Sequence, residues 1–438
     1  MKGIKTELEM LQKLGIEELN PMQLEAKKVI TTSSEVLLLS PTGTGKTVAF
    51  LLPLIASLDP KLKKIQALIV VPSRELAIQI DHVIRELGSG FKTNAFYGGR
   101  SGSKDKLDLN HPPAILIGTP GRLASHLYRE TFDLGEIKTL ILDEFDKSLE
   151  IGFDDEMIEI IETLPNVKKK ILTSATYGVE IPDFVRFENP VEVNFLVKDD
   201  SSNKGLSVQA IEFDRSNKAD HLINILCHIG NHPGIIFCNY KETIEEVSII
   251  LRQHQISHGC FHGGMEQRDR ERALIQFRNG THQLLVATDL AARGIDIPDL
   301  HFILHYQLPH HADEFTHRNG RTARMNAAGT AYVLKGKNEK WPDFIAPMEP
   351  LNLKKGELPQ PSEWKTLFIS GGRKDKISKG DIAGLFFKQG GLSQDELGRI
   401  ELNTDCAFVA VPASKAEVLI TKTSNSKLKK KKVRISEI

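Results

Sequence analysis

Residues Ser40-Pro41-Thr42-Gly43-Thr44-Gly45-Lys46-Thr47 have the types and spacing of a phosphate cradle. Gly43 and Gly45 let backbone N–H groups curl around a polyphosphate, Lys46 can bridge its outer phosphates, and the Thr47 hydroxyl can hold a magnesium ion. Ser40 is a small departure from the Gly or Ala usual at the first position. Further along, the apolar run Thr139-Leu140-Ile141-Leu142 ends in Asp143-Glu144-Phe145-Asp146. A carboxylate at the end of a strand beside a phosphate loop can hold a hydrated metal, and its neighbour can position the attacking water. Asp143 is therefore expected on magnesium and Glu144 on water. An acidic turn alone means little; paired with the loop it points to a nucleotide-using site with metal and water held at the phosphates. Gln23 offers an amide with both donor and acceptor, which suits the edge of adenine. Arg321 and Arg324 are spaced so that both can point from one helical turn at a γ-phosphate, stabilising charge that builds up in the transition state.

Such residues need a frame that brings them together. From Glu35 to about Phe195, apolar runs at Glu35–Leu39, Ala67–Val71, Ala114–Ile117, Leu140–Leu142 and Ile171–Leu172 alternate with helical patterns. That alternation predicts a parallel sheet with helices on both faces. After the polar stretch Lys198–Lys204, a second series follows at Gly234–Phe237, Gln283–Val286, His301–Leu304 and Thr330–Val333. The expected organisation is a first α/β lobe over 1–197, a second over 206–340, a linker over 341–365 and a small third domain over 366–438. Polar segments such as Pro72-Ser73-Arg74, Gly118–Arg122 and Ser174-Ala175-Thr176 fall just after strands. Open parallel sheets bind ligands at the carboxyl ends of their strands, so these segments should share one rim. Two such rims facing each other would form a cleft.

Charge is balanced over the 438 residues, with 57 Lys and Arg against 57 Asp and Glu, but it is unevenly placed. From Leu367 onward 14 basic residues stand against 8 acidic ones, leaving +6 there and −6 on the rest, a pattern that suits a tail facing nucleic acid. Cys227, Cys238, Cys260 and Cys406 have neither disulfide nor zinc spacing and read as reduced thiols. No apolar run is long enough to span a bilayer and no signal-peptide pattern opens the chain, so a cytoplasmic, membrane-free protein is expected; it is also expected to be monomeric.

The ordered set of motifs resembles the DEAD-box RNA helicases, over roughly residues 10 to 335. Its pieces are Asn20-Pro21-Met22-Gln23, the phosphate loop, Pro72–Ala77, Gly98-Gly99, Thr119–Arg122, Asp143–Asp146 and Ser174–Thr176. The second lobe adds Gln276-Phe277-Arg278, Ala287-Thr288-Asp289, Arg293–Asp296 and His317–Arg324. The resemblance implies two RecA-like lobes that bind ATP and Mg2+ between them. It implies that Ser40, Pro41, Thr42, Gly43, Thr44, Gly45, Lys46, Thr47, Gln23, Gly294 and Asp296 bind ATP, Asp296 meeting the ribose. Lys46, Asp143, Glu144, His317, Arg321 and Arg324 are the implied catalytic set. Asp146, Ser174 and Thr176, with His317, would couple hydrolysis to lobe closure. Arg74, Gly98, Gly99, Thr119, Gly121, Arg122, Arg278 and Thr288 look like an RNA backbone track, since hydroxyls, arginines and glycine N–H groups suit phosphates without base preference. In the family such binding bends one strand and disrupts a short duplex locally.

Three departures stand out. Phe145 replaces the family's Ala and is expected to fill a pocket beside the sheet. Thr6 stands where an aromatic would pack on adenine. Asn319 and Ala323 replace the usual Ile and Gly.

Residues Thr366–Ile438 read strand, helix, strand, strand, helix, strand, an order that fits an RNA-recognition-motif-like α+β fold. The strands are placed at Leu367–Ser370, Arg399–Leu402, Ala407–Val411 and Lys432–Ile435. Only Phe368 and Phe408 could stack bases on the sheet. Gly372–Asp375, Gly380–Ile382 and Gly398–Ile400 resemble the terminal domain that anchors one branch of these helicases to a hairpin of large-subunit ribosomal RNA. Arg373, Lys374, Lys376 and Lys379 would then contact phosphates, with Lys427 and Lys429–Lys432 as a second basic patch. The expected function is an ATP-dependent RNA helicase of that branch, acting in assembly of the large ribosomal subunit. The alternative is an RNA-binding clamp or chaperone with little turnover, against which the intact Lys46, Glu144, Arg321 and Arg324 argue.

Overall fold

The computed structural model describes residues 4–176, 180–196, 205–214, 218–289, 300–322 and 328–438. The chain divides into two compact units, one carrying the first lobe and the other carrying the second lobe with the terminal domain.

In the first unit the strands are β1 (Glu35–Leu39), β2 (Ala67–Val70), β3 (Thr93–Phe96), β4 (Ile115–Gly118), β5 (Thr139–Leu142), β6 (Lys169–Ser174) and β7 (Val191–Asn194). They pair in the order β3-β4-β2-β5-β6-β1-β7, and every pairing is parallel. β2, β4 and β5 are buried along their whole length, which is why their sequences are unbroken apolar runs rather than alternating ones. Each face carries its own apolar core. Register fixes the rim: Leu39 lies opposite Ser174, and Val70 opposite both Leu142 and Gly118. The segments that leave β1, β2, β4, β5 and β6 therefore emerge side by side.

Local chemistry starts the helices that matter. Asn20 caps the helix Pro21–Thr32, with Pro21 at its first position and Gln23 closing a reciprocal capping box. Ser73 caps Arg74–Leu87 by accepting from the Leu76 N–H. Thr6 is explained in the same way. It caps the helix Glu7–Leu14 through a box with Glu9, so a helix start occupies the position where adenine packing was considered.

The second unit holds β8 (Leu206–Phe213), β9 (Gly234–Phe237), β10 (His258–Phe261), β11 (Leu284–Ala287), β12 (Phe302–His305) and β13 (Gly329–Gly336), ordered β10-β11-β9-β12-β13-β8 and again parallel. The segment after β13 runs back along this lobe. Leu351 donates its N–H to Ala210 O, and Gly356 passes so close to Cys227 O that a Cβ there would stand 2.0 Å away.

The terminal domain is built from β14 (Trp364–Ile369), the helix Lys379–Leu385, β15 (Ile400–Leu402), β16 (Ala407–Pro412), the helix Ala416–Thr423 and a last strand at Ile435–Glu437. That last strand begins later than the expected Lys432–Ile435. The basic run pairs with itself first, as a short hairpin of Lys427-Leu428 on Lys431-Lys432 turning at Lys429 with φ 55°. The antiparallel order, β15-β16-β14-last strand, is that of an RNA-recognition-motif-like sheet. The fold class read from sequence, two parallel-sheet lobes of RecA type plus this small α+β domain, is the one observed.

Candidate nucleotide and RNA site

The phosphate loop leaves β1 with Gly43 at φ 83° and Gly45 at φ 87°, conformations that only glycine adopts without strain. Its walls are hydrogen-bonded. Ser40 Oγ and Thr44 Oγ1 are 2.8 Å apart, Thr44 Oγ1 donates to Pro41 O at 2.9 Å, and Lys46 Nζ donates to Ser40 O and Pro41 O. Asn20 and Gln23 grip the loop from the neighbouring helix: Asn20 Nδ2 donates to Thr44 O at 2.9 Å, and Gln23 Nε2 to Gly45 O at 3.3 Å. Gln23 Oε1 accepts from the Asn20 N–H. One N–H and one lone pair of the Gln23 amide remain for a base edge, so holding the loop and reading adenine are compatible. A Cβ at Gly45 would stand 2.4 Å from Gln23 Nε2, which is a second reason for glycine there.

Because β6 lies between β1 and β5, its end joins the loop to the acidic motif. The Ser40 N–H donates to Ser174 O at 3.1 Å, and the Thr173 hydroxyl donates to Asp143 Oδ1. Burial pushes the Asp143 carboxyl up, against the pull of the Thr173 hydroxyl and the Lys46 ammonium. A carboxylate beside a hydroxyl is an oxygen donor set that suits a hard divalent cation. Asp146 Oδ1 is likewise buried without a hydrogen-bond partner, while its Oδ2 accepts from Thr176 Oγ1 at 2.6 Å. The residues present therefore fit magnesium on a triphosphate, held by Asp143 and the Thr47 hydroxyl at the start of the helix Lys46–Ser57. Glu144 stands at φ 49° and ψ 50°, a left-handed conformation that costs a non-glycine residue energy and recurs at functional positions. Its N–H is fixed to Thr173 Oγ1 at 3.1 Å. Ser174 Oγ accepts from the Thr176 N–H at 2.9 Å, so Asp146, Ser174 and Thr176 lie in one network. Phe145 is fully buried, tilted against Phe184 at 6.4 Å between ring centres. The bulkier residue fills the core under the acids.

Arg74 and Gly98 are neighbours on the same lobe, with Arg74 Nη2 3.1 Å from where a Gly98 Cβ would stand. Gly99 is at φ 83°, and Thr119 precedes the helix Pro120–Tyr128 that carries Gly121 and Arg122. Arg122 is held from beneath by Asp105, fully buried, through Nε at 2.9 Å and Nη2 at 2.5 Å. The same carboxylate faces His126 Nε2 at 3.1 Å and Arg100 Nη1 at 3.2 Å. Hydrogen bonds from His126 and Arg122 more than offset its burial and hold the Asp105 carboxyl below the usual range. Neither Asp105 nor Thr173 is signalled locally in the sequence, since each is a polar residue within an ordinary helix or strand pattern.

In the second unit Arg318 is the buried centre. Its guanidinium meets Asp289 through Nε at 2.7 Å and Nη2 at 2.5 Å, and also Asn239 Oδ1 at 2.8 Å and Gln307 O at 2.9 Å. It ties the ends of β9, β11 and β12 together. Arg318 lies inside the arginine motif, where no local feature marks it as the buried member. Asn319 pairs with Nε2 of the buried His305 at 3.0 Å, which accounts for its replacing an apolar residue. Arg321 is nearly buried and Thr288 and His317 partly so. Gly294, Asp296 and Arg324 lie outside the described residues.

Arg278, expected on the RNA track, stands beside the terminal domain. Its guanidinium stands 3.6 Å from Glu401 of the terminal domain, in a seam where Thr281 Oγ1 and Thr366 Oγ1 are 2.7 Å apart and Asn279 Nδ2 donates to Thr366 Oγ1 at 3.2 Å. Glu401, Phe408, Phe368 and Thr366 are cross-strand or alternate neighbours and share one face of the sheet. Through Thr366 and Glu401 that face meets the second lobe, and Phe368 and Phe408, 5.6 Å apart between ring centres, lie on the same face. The basic residues lie elsewhere on the domain. Lys374 pairs with Asp405, Lys429 with Asp381 at 2.8 Å and Lys431 with Asp375 at 2.8 Å, while Arg373 and Lys379 flank them in the same loops. Lys376 closes the turn Arg373–Asp375 at φ 62°.

Residues 20–184 match the DEAD/DEAH box helicase family, 217–326 the helicase conserved C-terminal domain, and 366–437 the DbpA RNA binding domain. With this loop, acidic motif and two-lobed fold, the chain belongs to the DEAD-box ATP-dependent RNA helicases, enzymes that hydrolyse ATP. Within that family it is similar along nearly its whole length to the ATP-dependent RNA helicase DbpA of Escherichia coli (strain K12), 32% identical over 97% of this chain and 95% of that one. The DbpA of Bacillus subtilis (strain 168) is 29% identical over 98% and 97%. Among solved structures, S. cerevisiae Dbp5 bound to RNA and ADP BeF3 superposes with a TM-score of 0.67 at 26% identity, over 77% of this chain and 88% of that one. Mss116p bound to ssRNA and AMP-PNP gives 0.65 at 27% identity, over 75% and 72%.

Proposed function

We propose that this chain hydrolyses ATP when RNA engages it, opens short RNA duplexes locally, and does so on large-subunit ribosomal RNA during subunit assembly, as a cytoplasmic monomer. The observation that carries the reading is the hydrogen-bonded rim from Ser40 through Ser174, Thr173 and Asp143, together with a terminal domain of DbpA type.

In this reading the Ser40–Thr47 loop and Lys46 bind the triphosphate, while Gln23, Gly294 and Asp296 fix the nucleoside. Asp143 and the Thr47 hydroxyl hold magnesium, which when bound supplies neutralising charge at the phosphate oxygens. Glu144 orients the attacking water and takes its proton. Arg321 and Arg324 meet the charge that develops on the γ-phosphate, and His317 with Asp146, Ser174 and Thr176 links that event to RNA grip. Arg74, Gly98, Gly99, Thr119, Gly121, Arg122 and Thr288 hold the strand by its phosphates. Arg373, Lys374, Lys376 and Lys379 anchor the ribosomal RNA.

The test is ATP hydrolysis with no nucleic acid, with a large-subunit ribosomal RNA fragment and with DNA of the same sequence. RNA-specific stimulation is expected, and its absence overturns the reading. Glu144→Gln should abolish turnover while sparing ATP binding; a variant with normal turnover removes Glu144 from its role.

A further inference from the structure

The sheet of the second unit reverses its winding between β9 and β12. From β9 the chain goes to the edge strand β10, returns through β11, then crosses β9 to β12 and β13 on the other side. Open α/β sheets bind ligands at such a reversal, just outside the carboxyl ends of the strands. A cavity of about 560 Å³ opens there, walled by Tyr240 after β9, Pro309 and His310 after β12, and Trp341 after β13, with Lys218 on its inner side. Hydrolysis as proposed above uses none of these residues.

Lys218 is the unusual group. Its ammonium sits 4.1 Å from the ring centre of Tyr306 and 5.1 Å from that of Phe213; the carboxylates that act on it, Glu339 on the cavity wall and Glu246, do so from beyond ion-pair distance. Burial holds its pKa below the ordinary lysine value. A desolvated cation is costly without an anion, and ring faces answer only part of that cost, about 2 kcal/mol for a buried pair. The wall beside it is rigid, because the Asn239 amide accepts from Arg318 at 2.8 Å and donates to Leu308 O at 2.9 Å. At the mouth Tyr240 is 54% exposed, and its hydroxyl lies 3.4 Å from His310 Nε2. Trp341 is half-buried there beside the exposed Lys340.

We propose that this cavity binds a nucleotide, its phosphate on Lys218 and its base against Tyr240 and Trp341. A volume near 560 Å³ suits such a ligand, since small-molecule pockets run from about 300 to 1,000 Å³. Base stacking on aromatic rings beside a cation is how single strands are held without sequence preference. The same chemistry is offered by a free nucleotide and by one residue of a single RNA strand.

The chain has two tryptophans, so Trp364→Phe leaves Trp341 as the sole indole emitter in the otherwise full-length protein. UMP, oligouridylate and an aspartate- and tyrosine-rich peptide are titrated against its fluorescence. Saturable quenching by UMP and oligouridylate alike assigns the cavity to a nucleotide; quenching by oligouridylate alone assigns it to a strand. Lys218→Met should weaken either about 10- to 100-fold, the worth of one charge-assisted hydrogen bond. Tyr240→Ala, at an exposed rim, should weaken it several-fold and decides the matter if Lys218→Met does not fold. No quenching by either nucleotide probe, quenching by the peptide alone, or affinities unchanged in both variants overturns the proposal. RNA-stimulated ATP hydrolysis is read on the same samples. Normal hydrolysis with a silent Trp341 defeats only the cavity, and a responsive Trp341 without hydrolysis defeats only the function proposed above.

Discussion

Asp105→Asn tests whether an RNA-side arginine is positioned from beneath. The buried carboxylate takes two bonds from Arg122, at 2.9 and 2.5 Å, and faces His126 and Arg100 at 3.1 and 3.2 Å. Asparagine keeps the shape but removes the charge and turns an amide donor towards cationic groups. Breaking a buried ion pair from one side costs about 3–5 kcal/mol. The Arg122 side chain keeps 22% of its exposure and can turn to water, so the lower end, about 3 kcal/mol, is the appropriate figure. For a unit of this size each kcal/mol moves the midpoint by about 2–4 °C, so a fall of about 6–12 °C is expected. A guanidinium that is no longer fixed forfeits one charge-assisted bond to a phosphate, about 1.5–3 kcal/mol, or roughly 10- to 100-fold in RNA affinity. Its charge survives, so the slope of affinity against salt should stay as in the parent. Arg122→Gln should lower affinity and slope together. The assay is fluorescence anisotropy on a labelled single strand at several salt concentrations, alongside thermal unfolding of the first unit. Parental melting and parental affinity in Asp105→Asn would refute the positioning argument.

Two further outcomes follow from buried groups. Phe145→Ala installs the residue the family usually has, yet here it should open a cavity against Phe184 and cost about 3–5 kcal/mol in urea unfolding of the first unit; a variant as stable as the parent would show that the core closes over the gap. Burial depresses His305 to about 3 and His282 to about 4, both below the ordinary 6.5. As pH falls below about 6.5 the unfolded chain takes up these protons before the folded one does, so stability of the second unit is full above that value and drains towards pH 4 and below. Urea midpoints measured from pH 7 to 4 should fall steadily, and a flat or rising series contradicts the assignment.

The strands around the site were legible because a strand buried on both faces must be apolar throughout, as β2, β4 and β5 are. The rim was legible too, from polar residues placed just after such runs. Less so were the supports. Asp105 sits in the polar stretch Ser101–Asp108, and nothing local marks it as the floor beneath Arg122. The sequence does not set Arg318 apart from Arg321 and Arg324, because spacing along a helix does not tell which arginine points inward. Nothing in the sequence around Arg278 reveals its partner across the seam, Glu401, 3.6 Å away. The last strand begins later than its alternation suggests, because the pattern in Lys432–Ile435 cannot reveal that Lys431 and Lys432 already pair with Leu428 and Lys427.

What the sequence determined by itself was the chemistry and its order along the chain. Glycine spacing, a lysine, a threonine and paired acids fix a local backbone shape and a set of charges wherever they fold, and apolar periodicity fixes which strands are interior. What only the tertiary structure decided was which polar groups share a neighbourhood. Thr173 reaches Asp143 because β6 is the strand between β1 and β5. Arg318 gathers Asp289, Asn239 and Gln307 because three strand ends converge on it. The terminal sheet turns its aromatic face to the second lobe because Thr366, Asn279 and Thr281 satisfy one another there. Such pairings join residues distant in sequence through hydrogen bonds of a few ångströms, and no local pattern encodes a distance of that kind.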